Sequence, residues 1–142
     1  MKTVIFDIDG TLANVEHRIH YVRGKKKDWK AFSRNMHLDT PIEAMHELIR
    51  VLKAHYRIVL CTGRIEADRA TTVAWLEKHG VPYDALLMRA DRDYRQDVAV
   101  KREMLDQIGR ENVLFVVEDR SSVVAMWREE GLMCLQCAPG DF

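Results

Sequence analysis

Short apolar runs alternate with longer segments of helical periodicity, and this alternation limits the fold more than any other feature. The runs lack the polar alternation of half-exposed strands, so they are predicted to be strands buried on both faces of a parallel sheet. The predicted strands cover residues 3–6, 57–61, 85–88, 113–117 and 132–135. The predicted helices cover residues 41–54, 67–79, 98–108 and 122–130.

Strands that alternate with helices predict a doubly wound α/β fold. The first helix is predicted to have Thr40 as its N-cap, Pro41 at its first position and Glu43 completing a capping box. The 142 residues suit one domain with one hydrophobic core. Ligands bind at the carboxyl ends of the strands in such sheets, so residues just after each strand are candidates for a functional site.

Composition narrows the classes of function. Lys plus Arg total 22 and Asp plus Glu total 22, so any attraction to nucleic acid needs a local patch of charge. No run approaches the roughly 18 apolar residues of a membrane span, and the first acid comes too early for a signal peptide. The cysteines Cys61, Cys134 and Cys137 are too few for a disulfide scaffold, so a cytoplasmic location is predicted.

Pairs of acids follow the first and fourth predicted strands. Asp7 and Asp9 precede Gly10 in the first loop, and Glu118 and Asp119 are adjacent in the other. Carboxylates beside a buried strand are costly unless they are paired, and Mg²⁺ prefers oxygen ligands. The two loops together predict a metal site of three or four carboxylates. Either motif alone is also consistent with a solvated turn.

The second predicted strand leads into Thr62, Gly63 and Arg64. A hydroxyl and free backbone N–H groups at a strand-to-helix junction suit a phosphate, and Arg64 adds a charged fork. Lys101 lies in the helix before the fourth strand, where it could neutralise the acids and a phosphate oxygen. Alone, the Thr62 loop is a weak signal, because an ordinary helix N-cap would look the same. Lys101 alone is equally consistent with a solvated charge on a helix.

Residues 13–39, here called the basic segment, break the alternation and are predicted to form an insertion over the strand ends. Only Glu16, Asp28 and, at the edge, Asp39 oppose its positive charge. Such a segment could hold a nucleic-acid strand by phosphate contacts and base stacking, whereas composition alone favours a solvated loop with its aromatic side chains packed inward. Its basic and aromatic residues are Arg18, Arg23, Lys25, Lys26, Lys27, Lys30, Arg34, Tyr21, Trp29 and Phe32.

The order of acidic loop, hydroxyl loop, lysine and acidic pair resembles the haloacid dehalogenase (HAD) superfamily of phosphohydrolases over nearly the whole chain. The resemblance implies a Rossmann-like core with strand order 5-4-1-2-3, in one domain over residues 1–142 with a short cap at 13–39. It also implies that Asp7 is a nucleophile that forms an aspartyl-phosphate. Asp9 would protonate the leaving alcohol and then activate water.

The same resemblance implies the ligands of the metal and of the phosphate. Mg²⁺ would be held by Asp7, Asp119 and the backbone carbonyl of Asp9, and Glu118 would contribute directly or through water. The transferring phosphoryl group would be bound by Thr62, Gly63 and Lys101. An acid at position 9 favours a phosphatase, because the dehalogenases of the superfamily lack it.

The last third of the chain is more closely similar to the 3′-phosphatase domain of phage polynucleotide kinase-phosphatase. The shared features are an acidic pair followed by arginine, the Val-Val-x-Met-Trp-Arg run at 123–128 and the ending Gly-Asp-Phe at 140–142. Arg64 and Arg89 match arginines near the active site of that domain. Glu118 stands where that domain has Asp, and Thr62 stands where it has Ser.

This similarity implies removal of 3′-phosphates from DNA or RNA ends. The sequence contains no GxxxxGK[ST] loop, so a kinase partner, if one exists, would be another chain or lost. A separate kinase or ligase is a possible partner. One alternative is a nucleotidase or another small-molecule phosphatase. The other is a non-catalytic nucleic-acid-binding module, and the intact Asp7, Asp9, Lys101 and Asp119 argue against it.

Overall fold

The computed structural model describes residues 1–141, which form a five-stranded parallel sheet, a two-stranded antiparallel pair and five α-helices. The strands are β1 (Thr3–Phe6), β2 (Ala13–Asn14), β3 (Thr40–Pro41), β4 (Arg57–Ile65), β5 (Ala85–Arg89), β6 (Val113–Glu118) and β7 (Cys134–Gln136). The helices are α1 (Trp29–Arg34), α2 (Glu43–Lys53), α3 (Arg69–Lys78), α4 (Asp97–Ile108) and α5 (Ser121–Glu129).

The parallel sheet has the order β5-β4-β1-β6-β7. Read in reverse, this is the predicted order 5-4-1-2-3, because the five predicted strands correspond to β1, β4, β5, β6 and β7. The predicted doubly wound fold is therefore confirmed. Its central strand is β1, and β4 and β6 lie on either side of it.

The sheet separates two hydrophobic cores, because successive side chains of a strand point to opposite faces. Phe6 and Leu60 belong to the core that α2 and α3 cover with Ile49 and Leu76. Ile5 belongs to the other core, which α4 and α5 cover. Burial on both faces of the central strands β1 and β4 explains why they have apolar runs without polar alternation.

The predicted N-terminus of α2 is wrong. Thr40 and Pro41 form β3 and pair antiparallel with β2, and Ile42 occupies the N-cap position without a side-chain hydrogen bond. The N–H of Ile42 instead donates to the carbonyl oxygen of Leu12 at 3.0 Å. Contacts with a distant part of the chain therefore replace the local capping box that the sequence predicted.

The basic segment is closed at its base by the β2–β3 pair and folds around a small core of its own. Val15, Ile19 and Val22 are buried together, and the half-buried Phe32 packs against them. The segment contains α1 and two short 3₁₀ turns. None of the helices in the described part of the chain is long and apolar enough to cross a membrane.

Candidate active site

The carboxyl ends of β1 and β6 bring three acids together. The N–H of Asp7 donates to the carbonyl oxygen of Val117 at 3.1 Å, which fixes the two loops side by side. Carboxylate oxygens of Asp7, Glu118 and Asp119 lie within 4.8 Å of one another, and all three residues are buried. The structure thus brings together three of the predicted metal ligands, from two distant parts of the sequence.

Lys101 reaches this cluster from α4. Its Nζ donates to Asp7 Oδ1 at 2.7 Å and to Glu118 Oε1 at 2.8 Å, and the side chain is 2% exposed. Burial alone would lower the pKa of Lys101, but the charges of Asp7 and Glu118 outweigh it and raise the pKa well above its usual value. One ammonium faces three carboxylates, so the cluster keeps an excess of negative charge.

Burial and the excess negative charge raise the pKa values of two of the acids. Burial, and then the charge of Glu118, raises the pKa of Asp7 well above its ordinary range. Burial is also the main cause that raises the pKa of Asp119 to about 6. A divalent cation would relieve this repulsion, and carboxylate oxygens are the ligands that Mg²⁺ takes. The donor set therefore fits a magnesium ion.

The loop after β1 is shaped around Asp119. Thr11 Oγ1 donates to Asp7 Oδ2 at 3.2 Å and to Asp119 Oδ1 at 3.3 Å. Gly10 has a φ of +84°, and a Cβ at this position would lie 2.0 Å from Asp119 Oδ2. A Cβ at Gly10 would therefore have to displace the carboxylate of Asp119, and the positive φ would strain any side chain at this position.

The carboxylate of Glu118 accepts several hydrogen bonds from the protein itself. Besides Lys101, its Oε1 lies 3.5 Å from Trp127 Nε1, and its Oε2 accepts from the backbone N–H groups of Asp119 at 3.2 Å and Arg120 at 3.3 Å. These contacts orient Glu118 toward Lys101. Glu118 thereby positions the ammonium of Lys101 and is also a member of the acidic cluster.

Asp9 lies in a second cluster of charges, between two arginines. Its Oδ1 accepts from Arg64 Nη2 at 2.6 Å and from Arg18 Nη2 at 2.8 Å. Asp39 accepts from the Nε and Nη2 of Arg18, both at 2.7 Å. Burial would raise the pKa of Asp9, but the charges of Arg64 and Arg18 outweigh it and hold the pKa well below its ordinary range. Asp9 is therefore ionised in this conformation.

Arg18 belongs to the cations of the basic segment, but it does not lie on the surface of the segment. It is completely buried, because it reaches inward to the two acids Asp9 and Asp39. Its guanidinium also lies over the ring of Phe32, with Cζ 4.1 Å from the ring centroid. Arg18 thereby joins the basic segment to the loop after β1.

The loop after the predicted second strand is part of β4, which continues to Ile65. The hydroxyl oxygen of Thr62 accepts from the N–H of Arg64 at 3.1 Å. Gly63 faces Asp97, since a Cβ on this glycine would lie 2.5 Å from Asp97 Oδ1. Thr62 and Gly63 thus lie at the carboxyl edge of the sheet, as predicted.

Most of the N–H groups of Arg89 donate hydrogen bonds that hold this edge of the sheet in place. Its Nε donates to the carbonyl oxygen of Gly63 at 2.8 Å, and its Nη1 donates to that of Asp93 at 3.0 Å. Its Nη2 pairs with Asp97, whose other oxygen accepts from Arg120 Nη1 at 3.0 Å. The contact of Arg89 with a substrate phosphate stays a prediction, and its present contacts position the loop that carries Gly63.

Sequence reasoning did not assign roles to several residues that the structure places at the site. Arg18 and Asp39 had no signal of their own, because isolated charges in a basic insertion look like solvated ones. Thr11 belongs to the motif after β1, and Asp97 begins the helix that carries Lys101, so their positions beside predicted site residues were the available signal.

At the end of the chain, Gly140 accepts from the N–H of Ser121 at 2.7 Å. The final Phe of the predicted Gly-Asp-Phe ending lies outside the described residues.

A comparison with protein families agrees with this geometry. The model of the family described as the polynucleotide kinase PNKP phosphatase domain matches residues 1–142. The chain belongs to this family. It is therefore a HAD phosphatase, as the order of its motifs predicted.

Solved structures place the PNKP-type phosphatase among two groups of relatives. Two structures of a Pnkp1/Rnl/Hen1 complex, one of them described as an RNA repair complex, contain a chain that is 34% identical with a TM-score of 0.86. These matches cover 99% of this chain but 43% and 47% of the other chains. The phosphatase chain thus spans less than half the length of those relatives.

More distant structures share the fold. A haloacid dehalogenase-like hydrolase from Streptococcus pneumoniae is 13% identical, with a TM-score of 0.63 over 96% of this chain and 84% of that one. A HAD-superfamily hydrolase from Geobacter sulfurreducens is 11% identical, with a TM-score of 0.65 over 96% of this chain and 86% of that one. Identities this low support the fold alone.

Gly10→Ala is expected to weaken Mg²⁺ binding, because the new Cβ would displace Asp119. We expect the dissociation constant of Mg²⁺, measured by calorimetric titration, to rise at least about tenfold. Gly131→Ala is the matched control: Gly131 has a φ of +86° and open space around its Cβ position. Equal Mg²⁺ affinity in the two variants would contradict the steric argument.

The contribution of Asp119 to the stability of the metal-free protein is expected to fall as the pH rises from about 4 to about 6. In this window folded Asp119, with its pKa raised to about 6, binds more protons than the unfolded residue, so raising the pH favours unfolding. Mg²⁺ should therefore raise the unfolding temperature more near pH 7.5 than near pH 5. Thermal unfolding at both values, with Asp119→Asn and the exposed control Asp106→Asn, measures this. A pH-independent effect of Mg²⁺ in the unmodified chain would refute the assignment.

Proposed function

We propose that this phosphatase removes 3′-phosphates from nucleic-acid ends through a phosphorylated Asp7, with Mg²⁺ as its cofactor. The observation that carries the proposal is the pairing of Asp7 with Lys101 beside the buried Asp119, in a chain of the PNKP phosphatase family. An RNA repair complex contains a relative with 34% identity, which favours RNA ends among the substrates.

The proposed metal ligands are Asp7, Asp119 and the backbone carbonyl of Asp9. Mg²⁺ bound there supplies positive charge that offsets repulsion between a carboxylate and a phosphoryl group. The oxygens of Glu118 already accept several hydrogen bonds, so we assign it to holding Lys101 as well as to the metal site, directly or through water.

In the first proposed step, a carboxylate oxygen of Asp7 attacks phosphorus and the bond from phosphorus to the 3′ oxygen breaks. Asp9 donates a proton to the leaving oxygen. In the second step, water attacks phosphorus, Asp9 takes up its proton, and inorganic phosphate leaves Asp7 as a free carboxylate. The phosphoryl oxygens would be held by Thr62, Gly63 and Lys101.

The acid role of Asp9 requires its pKa to rise before the first step, because Arg18 and Arg64 hold it ionised without substrate. A phosphate dianion that approaches Arg64 would compete with Asp9 for the same guanidinium. Weaker pairing lets the pKa of Asp9 rise toward a value at which it can carry a proton. We therefore propose that Arg64 couples arrival of the phosphate to protonation of Asp9. We also propose that Arg89 positions the loop that carries Gly63.

We further propose that residues 1–142 act as one phosphatase domain, with the basic segment as its cap. Any kinase or ligase step would come from outside these 142 residues. The relatives in the Pnkp1/Rnl/Hen1 complexes support a partner of this kind. A cytoplasmic location stays a prediction from the cysteine content.

Phosphate release from a 3′-phosphorylated oligonucleotide with Mg²⁺ tests the function directly. We expect release by the unmodified chain, none after EDTA, and a loss of at least about a thousandfold in Asp7→Asn, which removes the nucleophile but keeps its size. Undiminished release by Asp7→Asn would exclude the covalent intermediate.

The same assay separates the alternatives. Activity on a mononucleotide or an aryl phosphate without activity on the oligonucleotide would replace the proposal by a small-molecule phosphatase. A folded chain that binds the oligonucleotide but hydrolyses none of these phosphates would be a binding module.

Arg64→Ala is expected to lower kcat/KM for the oligonucleotide at least about tenfold, while Arg18 keeps Asp9 and Asp39 paired and the chain folded. Arg69→Ala is the control, because Arg69 pairs with the exposed Glu66 on the adjoining surface. Steady-state rates and unfolding temperatures of both variants measure the effect. Turnover at the unmodified rate in Arg64→Ala would sink the role assigned to Arg64.

A further inference from the structure

The outer face of the basic segment carries positive charge that the protein itself does not neutralise. Within residues 1–141, none of its six exposed cations forms an ion pair, whereas other surface arginines such as Arg69, Arg95 and Arg110 do. The nearby acid Asp28 accepts from the N–H of Ala31 at 3.0 Å as the N-cap of α1. The six exposed cations are Arg23, Lys25, Lys26, Lys27, Lys30 and Arg34.

Trp29 lies among these cations and is 53% exposed. Its ring meets that of Phe32 edge to face, with centroids 5.7 Å apart, and Lys27 Nζ lies 5.9 Å from its centroid. Large aromatic side chains are mostly buried in folded proteins, so this degree of exposure on a charged surface is unusual. Of the two alternatives for the aromatic side chains, the inward packing that composition alone favoured applies to Phe32, and the exposure that the family resemblance favoured applies to Trp29.

A short series of contacts connects Trp29 to the reaction centre. Trp29 touches Phe32, the guanidinium of Arg18 lies 4.1 Å from the centroid of Phe32, and Arg18 Nη2 lies 2.8 Å from Asp9 Oδ1. Asp9 is the group proposed to protonate the leaving 3′ oxygen. If Asp9 has this role, the nucleotide that carries the oxygen would lie on the side of the site that the basic segment covers.

We propose that the outer face of the basic segment binds the single-stranded nucleic acid that leads to the 3′-phosphate. Trp29 stacks on an unpaired base, and the six exposed cations contact backbone phosphates. This inference rests on the proposed function, since it concerns the substrate of the same site. Stacking and phosphate contacts tolerate any base, so the surface selects for strand length and single-strandedness and not for sequence.

The test is the ratio of kcat/KM for a single-stranded 3′-phosphorylated oligonucleotide to kcat/KM for p-nitrophenyl phosphate, measured with Mg²⁺ on the full chain. Trp29→Ala should lower this ratio at least about tenfold, since stacking on an aromatic ring contributes on the order of one such factor per base. Trp29→Phe keeps an aromatic ring and should restore most of the ratio.

The charges are tested with a double variant, Lys25→Ala with Lys26→Ala. The slope of log kcat/KM against log salt concentration should become shallower by about 1.4, or about 0.7 for each of two lost phosphate contacts on a single strand. The matched control is Arg57→Ala with Lys78→Ala, which removes two exposed cations at the amino edge of the sheet, opposite the site. This control should keep the ratio and the slope of the unmodified chain.

Binding gives a second measurement that does not depend on turnover. In the Asp7→Asn background, Trp29→Ala should bind a fluorescein-labelled single strand more weakly, and a blunt duplex should bind more weakly than the single strand. An unchanged ratio, slope and affinity in the Trp29 and lysine variants would overturn the inference, while release of phosphate from the oligonucleotide would keep the proposed function. Hydrolysis of p-nitrophenyl phosphate alone by the unmodified chain would overturn both.

Discussion

The buried ammonium of Lys101 is the contact on which the active-site end of the sheet depends. Three carboxylates from two loops lie close together in the interior, and such an arrangement is costly without a compensating charge. Lys101 supplies one positive charge and hydrogen-bonds directly to Asp7 and Glu118. The remaining negative charge is what a divalent cation would satisfy. The α4–β6 unit that carries Lys101 is therefore as much a part of the proposed metal site as the acids are.

A second balance of charges attaches the basic segment to the core. Arg18 and Arg64 alternate with Asp9 and Asp39, so two acids and two guanidinium groups neutralise one another below the segment. The backbone of Asp39 is also held, because its carbonyl oxygen accepts from Trp75 Nε1 at 2.8 Å. The inner face of the segment is thus neutral and ordered, and its outer face keeps its positive charge. The same arginines hold Asp9 ionised, so the proposed phosphate binding and the proposed acid catalysis would act on one set of contacts.

Much of the fold could be predicted because the central strands β1 and β4 are buried on both faces. Burial requires apolar runs without alternation, and β1 was predicted to the residue for this reason. The N-terminus of α2 could not be predicted in the same way, because Thr40 pairs with Asn14 across the closed base of the basic segment. A local capping box and a distant strand pair compete for the same backbone groups, and the sequence shows only the local option.

At the site, the sequence alone determined which chemical groups follow each strand, and parallel strands necessarily bring those groups to one edge. Asp7, Glu118 and Asp119 could therefore be predicted as neighbours. Only the tertiary structure decided that Arg18 turns inward to Asp9 while Trp29 stays exposed, although both lie in the same basic segment. The physical reason is that a charge is buried only where an opposite charge meets it, and the position of that partner depends on how the segment packs on the sheet.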